Sequence, residues 1–364
     1  MKQFLATAFM TVFSFGLLQF GGNFALAADE TKQDEAKQAV SAGEVVVYNW
    51  SEYIPHDVLD NFTRETGIKV VYSTYESNEA MYAKVKLLRG KSYDVVVPST
   101  YFIDLMIEDK LLRKLDHSRL QGFDNIDPKL LDQPYDPGNQ YSVPYMWGSM
   151  GLMINTKYVE PGSVTKWADL LKPEFKGKVM LSDDTRDGMG AALKALGKSA
   201  NSTKKSELEA AYGFLKKLRA SVRVFDITAS KQAFVSEEVI VGTSWNGDAL
   251  VAAEENPALH FIYPEEGAIV WVDSFAITSG AANIDNAYAF INYMLRPEVA
   301  KRCMEEYQYS TPNLGALALL DEETLGNRTL NPTEEDLKNS EMLISVGDAQ
   351  GMYDRYWGRL KTLR

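Results

Sequence analysis

The sequence predicts an α/β protein of two units with a ligand cleft between them. Three observations carry this. From Glu44 onward, strand and helix patterns alternate as βαβαβ, the arrangement of an open parallel sheet. A second unit of the same logic begins at Lys178. The chain is also long: 364 residues less a 27-residue leader leave 337, more than one core usually serves.

The first 27 residues read as a secretory signal peptide. Lys2 gives a short positive start, Phe4 to Phe20 is mostly apolar, and Ala25-Leu26-Ala27 is a small-x-small cleavage site. No Cys stands at the cleavage point to take a lipid anchor. Residues 28–43 are polar and rich in Ala, Glu and Lys, the composition of a flexible leader. No later apolar run reaches the roughly 18 residues that would read as a membrane span.

Glu44 to Tyr48 is a continuous apolar, β-branched run, as expected for a strand covered on both faces. Pro55 suits a helix start, Val58, Leu59 and Phe62 space one apolar face, and Gly67 ends it. Ile68 to Tyr75 is the second strand. Ser77 caps an expected helix over 78–89, with Gly90 as its stop. Asp94 to Pro98 is the third strand, followed by another helical pattern. After a Pro-rich loop, Tyr141 to Asn155 reads as an extended connection into the second unit.

There, Lys178 to Ser182 is a strand running into Asp183 and a helix through Leu193, and Ser206 to Leu218 is a further helix. Val239 to Val241 is a short strand ending at Trp245-Asn246-Gly247-Asp248. His260 to Tyr263 and Ala268 to Thr278 are strands around a Glu-Glu-Gly turn. Asp285 to Leu295, a run after Pro297, and Gln350 to Leu360 are helical.

Composition excludes several classes. Lys and Arg number 38 against 50 Asp and Glu, a net charge of −12, which argues against nucleic acid and anionic membranes as partners. Cys303 is the single cysteine, so no internal disulfide or multi-cysteine metal site forms. Asp183 to Gly188 resembles the start of a calcium loop, but Thr185 and Lys194 stand where acidic ligands are needed. Gly188-Met-Gly190-Ala-Ala-Leu193 lacks the last glycine of a dinucleotide fingerprint, and Gly242-Thr-Ser244-Trp-Asn246 misses the last glycine of a nucleophile elbow. His56, His117 and His260 pair with no nucleophile or ligand in sequence. No catalytic group, metal or cofactor is expected.

What recurs is an aromatic beside an acid at strand and loop ends. In Val270-Trp271-Val272-Asp273, alternation puts Trp271 and Asp273 on one strand face. Read alone, they are a core aromatic and a strand-end acid, and Asp184 and Asp187 merely complement a helix dipole. Trp50, Glu52, Tyr53, Tyr101, Trp245 and Tyr309 repeat the pairing, which suits a slender organic polycation. Each ammonium needs a carboxylate, because an unpaired buried charge is costly. Aromatic faces add cation–π attraction of roughly 0.5–2 kcal/mol and cover the methylenes between amines. Seven methylenes at about 0.8 kcal/mol give on the order of 5–6 kcal/mol gross. Micromolar binding needs about 8 kcal/mol net, so charge pairing has to supply the rest.

From about Val45 to Arg364 the chain closely resembles the spermidine/putrescine-binding proteins of bacterial ABC transporters. The residues that carry the resemblance are Tyr48-Asn-Trp-Ser-Glu-Tyr53, Tyr72-Ser-Thr-Tyr-Glu-Ser-Asn78, Val97-Pro-Ser-Thr-Tyr101, Val143-Pro-Tyr-Met-Trp-Gly148, Trp245-Asn-Gly247, Trp271-Val-Asp-Ser274 and Thr311-Pro-Asn313. The resemblance implies a two-lobed periplasmic binding protein of type II-like fold with a central ligand cleft. The lobes are expected at 44–148 with 273–310 and at 149–272 with 311–364.

It also implies an aromatic box of Trp50, Tyr53, Trp245, Trp271 and Tyr309. Glu52, Asp184 and Asp273 match carboxylates that pair with amines. Asp187 stands where a spermidine-preferring relative has Glu, keeping the charge with a shorter reach. Tyr101, Ser51 and Ser99 match polar contacts. Leu343 replaces a family Gln and removes an amide acceptor, which suits putrescine, while four carboxylates suit the trication and tip the balance slightly to spermidine. The expected protein is a periplasmic monomer that hands a polyamine to a membrane permease. The alternatives are a polyamine sensor or a binder of another organic cation.

Overall fold

The computed structural model describes residues 43–226 and 229–363. The expected signal peptide, and the expected leader apart from Gly43, lie outside the described residues. Within them, no helix is long and apolar enough to cross a membrane.

The first lobe opens with strand β1 (Glu44–Trp50), helix α1 (His56–Thr66), β2 (Lys69–Tyr75), α2 (Asn78–Leu87), β3 (Val95–Val96) and α3 (Thr100–Glu108). Gly67 closes α1 in the left-handed region, at φ 72°, with its N–H on the Thr63 carbonyl. The Ser77 side chain accepts from the Ala80 N–H and so starts α2 as expected. β1 pairs in parallel with β2 and β3. Of the expected third strand, Val95 and Val96 form the ladder, while Asp94 and Pro98 add backbone bonds to Val46 and Ser274 on either side.

Segment 142–155 is more than a connection. It is a 14-residue strand, β4 (Ser142–Asn155). The second lobe follows with β5 (Val179–Leu181), α4 (Thr185–Ala195), α5 (Lys205–Arg219), β6 (Val222–Phe225), α6 (Ser230–Val235), β7 (Val241–Trp245), α7 (Asn246–Glu255) and β8 (Leu259–Ile262). β7 begins where the expected 239–241 strand ends, since its register is set by pairing Val241 through Trp245 with Ile154 through Met150. The chain returns through β9 (Ile269–Ile277), α8 (Ile284–Met294), α9 (Pro297–Tyr307), α10 (Leu314–Leu317), α11 (Glu322–Gly326), β10 (Glu341–Met342) and α12 (Gln350–Lys361).

The strand order is β2-β1-β3-β9-β4-β7-β5-β6, with β10 on β9 and β8 on β4. The sheet is mixed rather than parallel throughout: β9 runs antiparallel to β3 and β4, and β4 antiparallel to β7 and β8. β4 and β9 therefore pass through both lobes side by side, from Ser142 opposite Ala276 to Met150 opposite Ile269.

Each lobe closes over its own apolar core. Val45, Val47, Phe62, Phe275 and Phe290 are sealed in one. Leu152, Val179, Leu193, Leu215 and Tyr353 are sealed in the other. Cys303 is a buried thiol in the first core, and burial pushes it up to about 12, so it stays protonated. His117 rests its Nε2 2.7 Å from the Asn139 carbonyl, a structural contact.

Candidate functional site

The strand ends of both lobes converge on a cleft of about 550 Å³, within the range of small-molecule sites. All twelve residues singled out from sequence line it. Trp50, Ser51, Glu52 and Tyr53 come from the end of β1 and its turn. Glu52 takes a left-handed φ of 50°, rare for a residue with a side chain, which turns the chain sharply there. Ser99 and Tyr101 open α3. Asp184 and Asp187 sit at the start of α4, Trp245 ends β7, and Tyr309 follows α9. Trp271 and Asp273 come from β9, on the strand shared by both lobes.

Asp273 is at the centre of the polar contacts. It is 4% exposed. Tyr53 donates its hydroxyl to Oδ2 at 2.6 Å, and Ser99 donates to Oδ1 at 2.5 Å. Burial pushes its carboxyl up to about 7, with the Ser99 and Tyr53 bonds pulling the other way. Asn78 holds this wall, donating to Ser99 Oγ at 3.0 Å and to Tyr101 Oη at 2.9 Å.

Around Asp273 stand the aromatic faces. Trp271 meets Tyr309 edge to face at 5.2 Å between centroids, and Tyr53 lies 6.0 Å from Tyr309. Trp50 leans on Tyr75 at 4.7 Å and ties its indole N–H to the Val97 carbonyl at 3.0 Å. Two glycines make room for the rings. A Cβ on Gly247 would stand 2.5 Å from the Tyr309 ring, and one on Gly148 would stand 2.6 Å from Trp271.

One end of the cleft carries Asp184 and Asp187. Asp184 is also the N-cap of α4, accepting from the Arg186 and Asp187 N–H groups at 2.9 Å each, so the helix-dipole reading holds for it as well. Asp187 accepts from the Trp245 indole at 2.7 Å. Burial, and then the Asp184 charge, push Asp187 well above the carboxylate range. Arg186 sits fully buried behind them, its guanidinium 5.1 Å from the Tyr101 ring and 4.9 Å from the Tyr353 ring. It is a fixed counter-charge for two neighbouring acids.

The other end carries residues that the sequence reading missed. Asp248 extends from the first turn of α7 and accepts from Tyr309 Oη at 3.0 Å. It stands three residues after Trp245, a spacing that could have marked it. Lys231 of α6 reaches Glu52, with Nζ 2.8 Å from Oε2. Ser51 donates to Glu76 at 2.5 Å. Leu343, already singled out from sequence, lines the cleft as a buried side chain in the core that holds Tyr101 and Met189.

The contacts thus order three acidic stations along one aromatic-lined cleft: Asp184 with Asp187, then Asp273, then Asp248 with Glu52. Such a row suits amines spaced by methylenes.

The family model for bacterial extracellular solute-binding proteins matches residues 57–327. A spermidine/putrescine-binding periplasmic protein of Escherichia coli K12 is 47% identical over 317 residues, 87% of this chain and 91% of that protein. A putrescine-binding periplasmic protein of the same organism is 33% identical, over 90% of this chain and 95% of its own length. Among solved structures, a spermidine/putrescine ABC transporter substrate-binding protein of Streptococcus pneumoniae superposes with a TM-score of 0.77 at 38% identity, covering 88% of this chain and 99% of that one.

Proposed function

The chain belongs to the bacterial extracellular solute-binding protein family, and from that membership we propose that it captures spermidine or putrescine in the periplasm for uptake through an ABC permease. The observation that carries the reading is the row of carboxylates with aromatic faces between them in one cleft. Relatives named for both polyamines support it.

The twelve cleft residues are the proposed contacts, with Asp248 added. Asp273, Asp187 and Asp184 pair with ammonium groups, and Trp50, Tyr53, Trp245, Trp271 and Tyr309 cover the methylenes. The lobe boundaries expected at 148/149 and 272/273 fall within β4 and β9. Closure about these strands would bring the walls together and offer the closed form to the permease. The protein acts as a monomer, after loss of its signal peptide, and performs no chemistry on its ligand.

Mass spectrometry of ligand released from protein purified under native conditions tests the proposal. A diamine or triamine in near-stoichiometric amount is expected. Finding a sugar or amino acid in its place would end the polyamine reading.

Leu343 offers a sharper test. Its side chain presents no acceptor to the cleft, and Thr100 already donates to its carbonyl at 2.5 Å. Leu343→Gln restores an amide oxygen and raises spermidine affinity relative to putrescine about tenfold, the worth of one hydrogen bond to a charged group. An unchanged ratio by competition binding would remove Leu343 from the ligand's surroundings.

A further inference from the structure

The cleft is acidic, yet one cation stands inside it. Among the described residues that line it, Lys231 is the one Lys or Arg. Its Nζ lies 2.8 Å from Glu52 Oε2 and 3.9 Å from Asp248 Oδ1. Glu52 belongs to the first lobe and Asp248 to the second, so one ammonium serves a carboxylate from each. The Lys231 and Asp248 side chains are 31% and 16% exposed, so these two charges are shielded, while Glu52 at 71% faces solvent. Burial alone would push the ammonium down. Asp248, and the hydrogen bond to Glu52, outweigh it and leave the group raised and charged at neutral pH.

We propose that Lys231 is a built-in ammonium that fills the Glu52–Asp248 station and so limits how many amino groups a ligand can place, favouring a diamine over a longer triamine. The inference rests on the polyamine reading above.

The order of contacts supports it. Two acidic stations, Asp184 with Asp187 and Asp273, have no lysine among their hydrogen-bond partners. Two ammonium groups of a diamine satisfy them. A third ammonium, one spacer further on, arrives at a carboxylate pair whose charge Lys231 already halves and whose Glu52 oxygen it already occupies. It then meets a like charge within a few ångströms, or has to displace the Lys231 contacts before it gains its own. Rejection of the longer ligand thus comes from a repulsive element rather than from lost attraction to the shorter one. The missing acceptor at Leu343 points the same way, and together they reverse the slight lean to spermidine drawn from counting carboxylates.

The test compares spermidine and putrescine dissociation constants, by calorimetry, for the wild-type protein, Lys231→Met and Lys231→Arg. Met keeps the length of the stem without the charge, and Arg keeps the charge. Thermal midpoints of the three proteins check folding. Lys231→Met is expected to shift the affinity ratio toward spermidine at least tenfold, and Lys231→Arg to leave it near the wild-type value. A shift below tenfold in the Met variant, or an equal shift in the Arg variant, overturns the inference. A wild-type protein that binds neither polyamine is a different result, and fails the polyamine reading itself.

Discussion

Asp273→Asn lowers polyamine affinity at least a hundredfold while leaving the folded protein as stable as before or more so. The substitution keeps the shape of the side chain. Tyr53 and Ser99 offer rotatable hydroxyls, so each can accept from the new amide as readily as it donates to the carboxylate. The charge is what disappears. A ligand ammonium brought to this buried place then lacks its partner, a loss of about 3–5 kcal/mol. Stability moves the other way. Burial holds the Asp273 carboxyl up at about 7, far above the range of an unfolded chain. The raised group therefore costs the folded state roughly 4 kcal/mol once the pH exceeds that value, and Asn carries no such cost. Calorimetry and thermal unfolding at pH 8 measure both effects. Retained affinity in the mutant would remove Asp273 from the binding site.

Binding weakens in acid with a defined slope. A ligand ammonium favours the ionised carboxylate, so complex formation pulls the Asp273 carboxyl below about 7. Above pH 7 the group is already ionised and affinity is flat on its account. Below pH 7 a proton must leave before the ammonium binds, and affinity falls about tenfold per pH unit until the bound-state value is reached. Asp187 is raised as well, by burial and the Asp184 charge, and its ionisation adds to the loss in the same direction. Calorimetry at pH 6 in buffers of different ionisation enthalpy should register about one proton released per ligand from Asp273, and more where Asp187 also ionises. Constant affinity from pH 5 to 8 would show that no buried carboxyl of the cleft changes its charge on binding.

Much of this site was legible because its residues stand at ends of strongly patterned strands. Glu44 to Tyr48 is continuous and β-branched, and β1 carries Trp50 and Glu52 to the cleft edge. Ile269 to Ile277 is apolar on both faces, so Trp271 and Asp273 were placed correctly as neighbours on a strand. The sheet's mixed character was not legible, because periodicity reports burial and not which partner lies alongside. β7 shows the same limit: its first residue is set by the register with β4, whereas local apolarity starts two residues earlier. Short elements such as α6, six residues long, carry too little pattern to read. Lys231 was missed for that reason, and because its partner Glu52 lies 179 residues away in sequence. Asp187 and Asp184 were found as acids at a helix start, but the Trp245 bond to Asp187 and the buried Arg186 between the Tyr101 and Tyr353 rings follow only from tertiary packing.

The central claim is that this cleft binds polyamines through paired charges, and direct calorimetric titration tests it most simply. Spermidine, putrescine and glutamate are each titrated into the purified protein at low salt and neutral pH. The account predicts saturable one-to-one binding of at least one polyamine at micromolar concentration or below, and no heat from glutamate. No binding of either polyamine below millimolar concentration would contradict it.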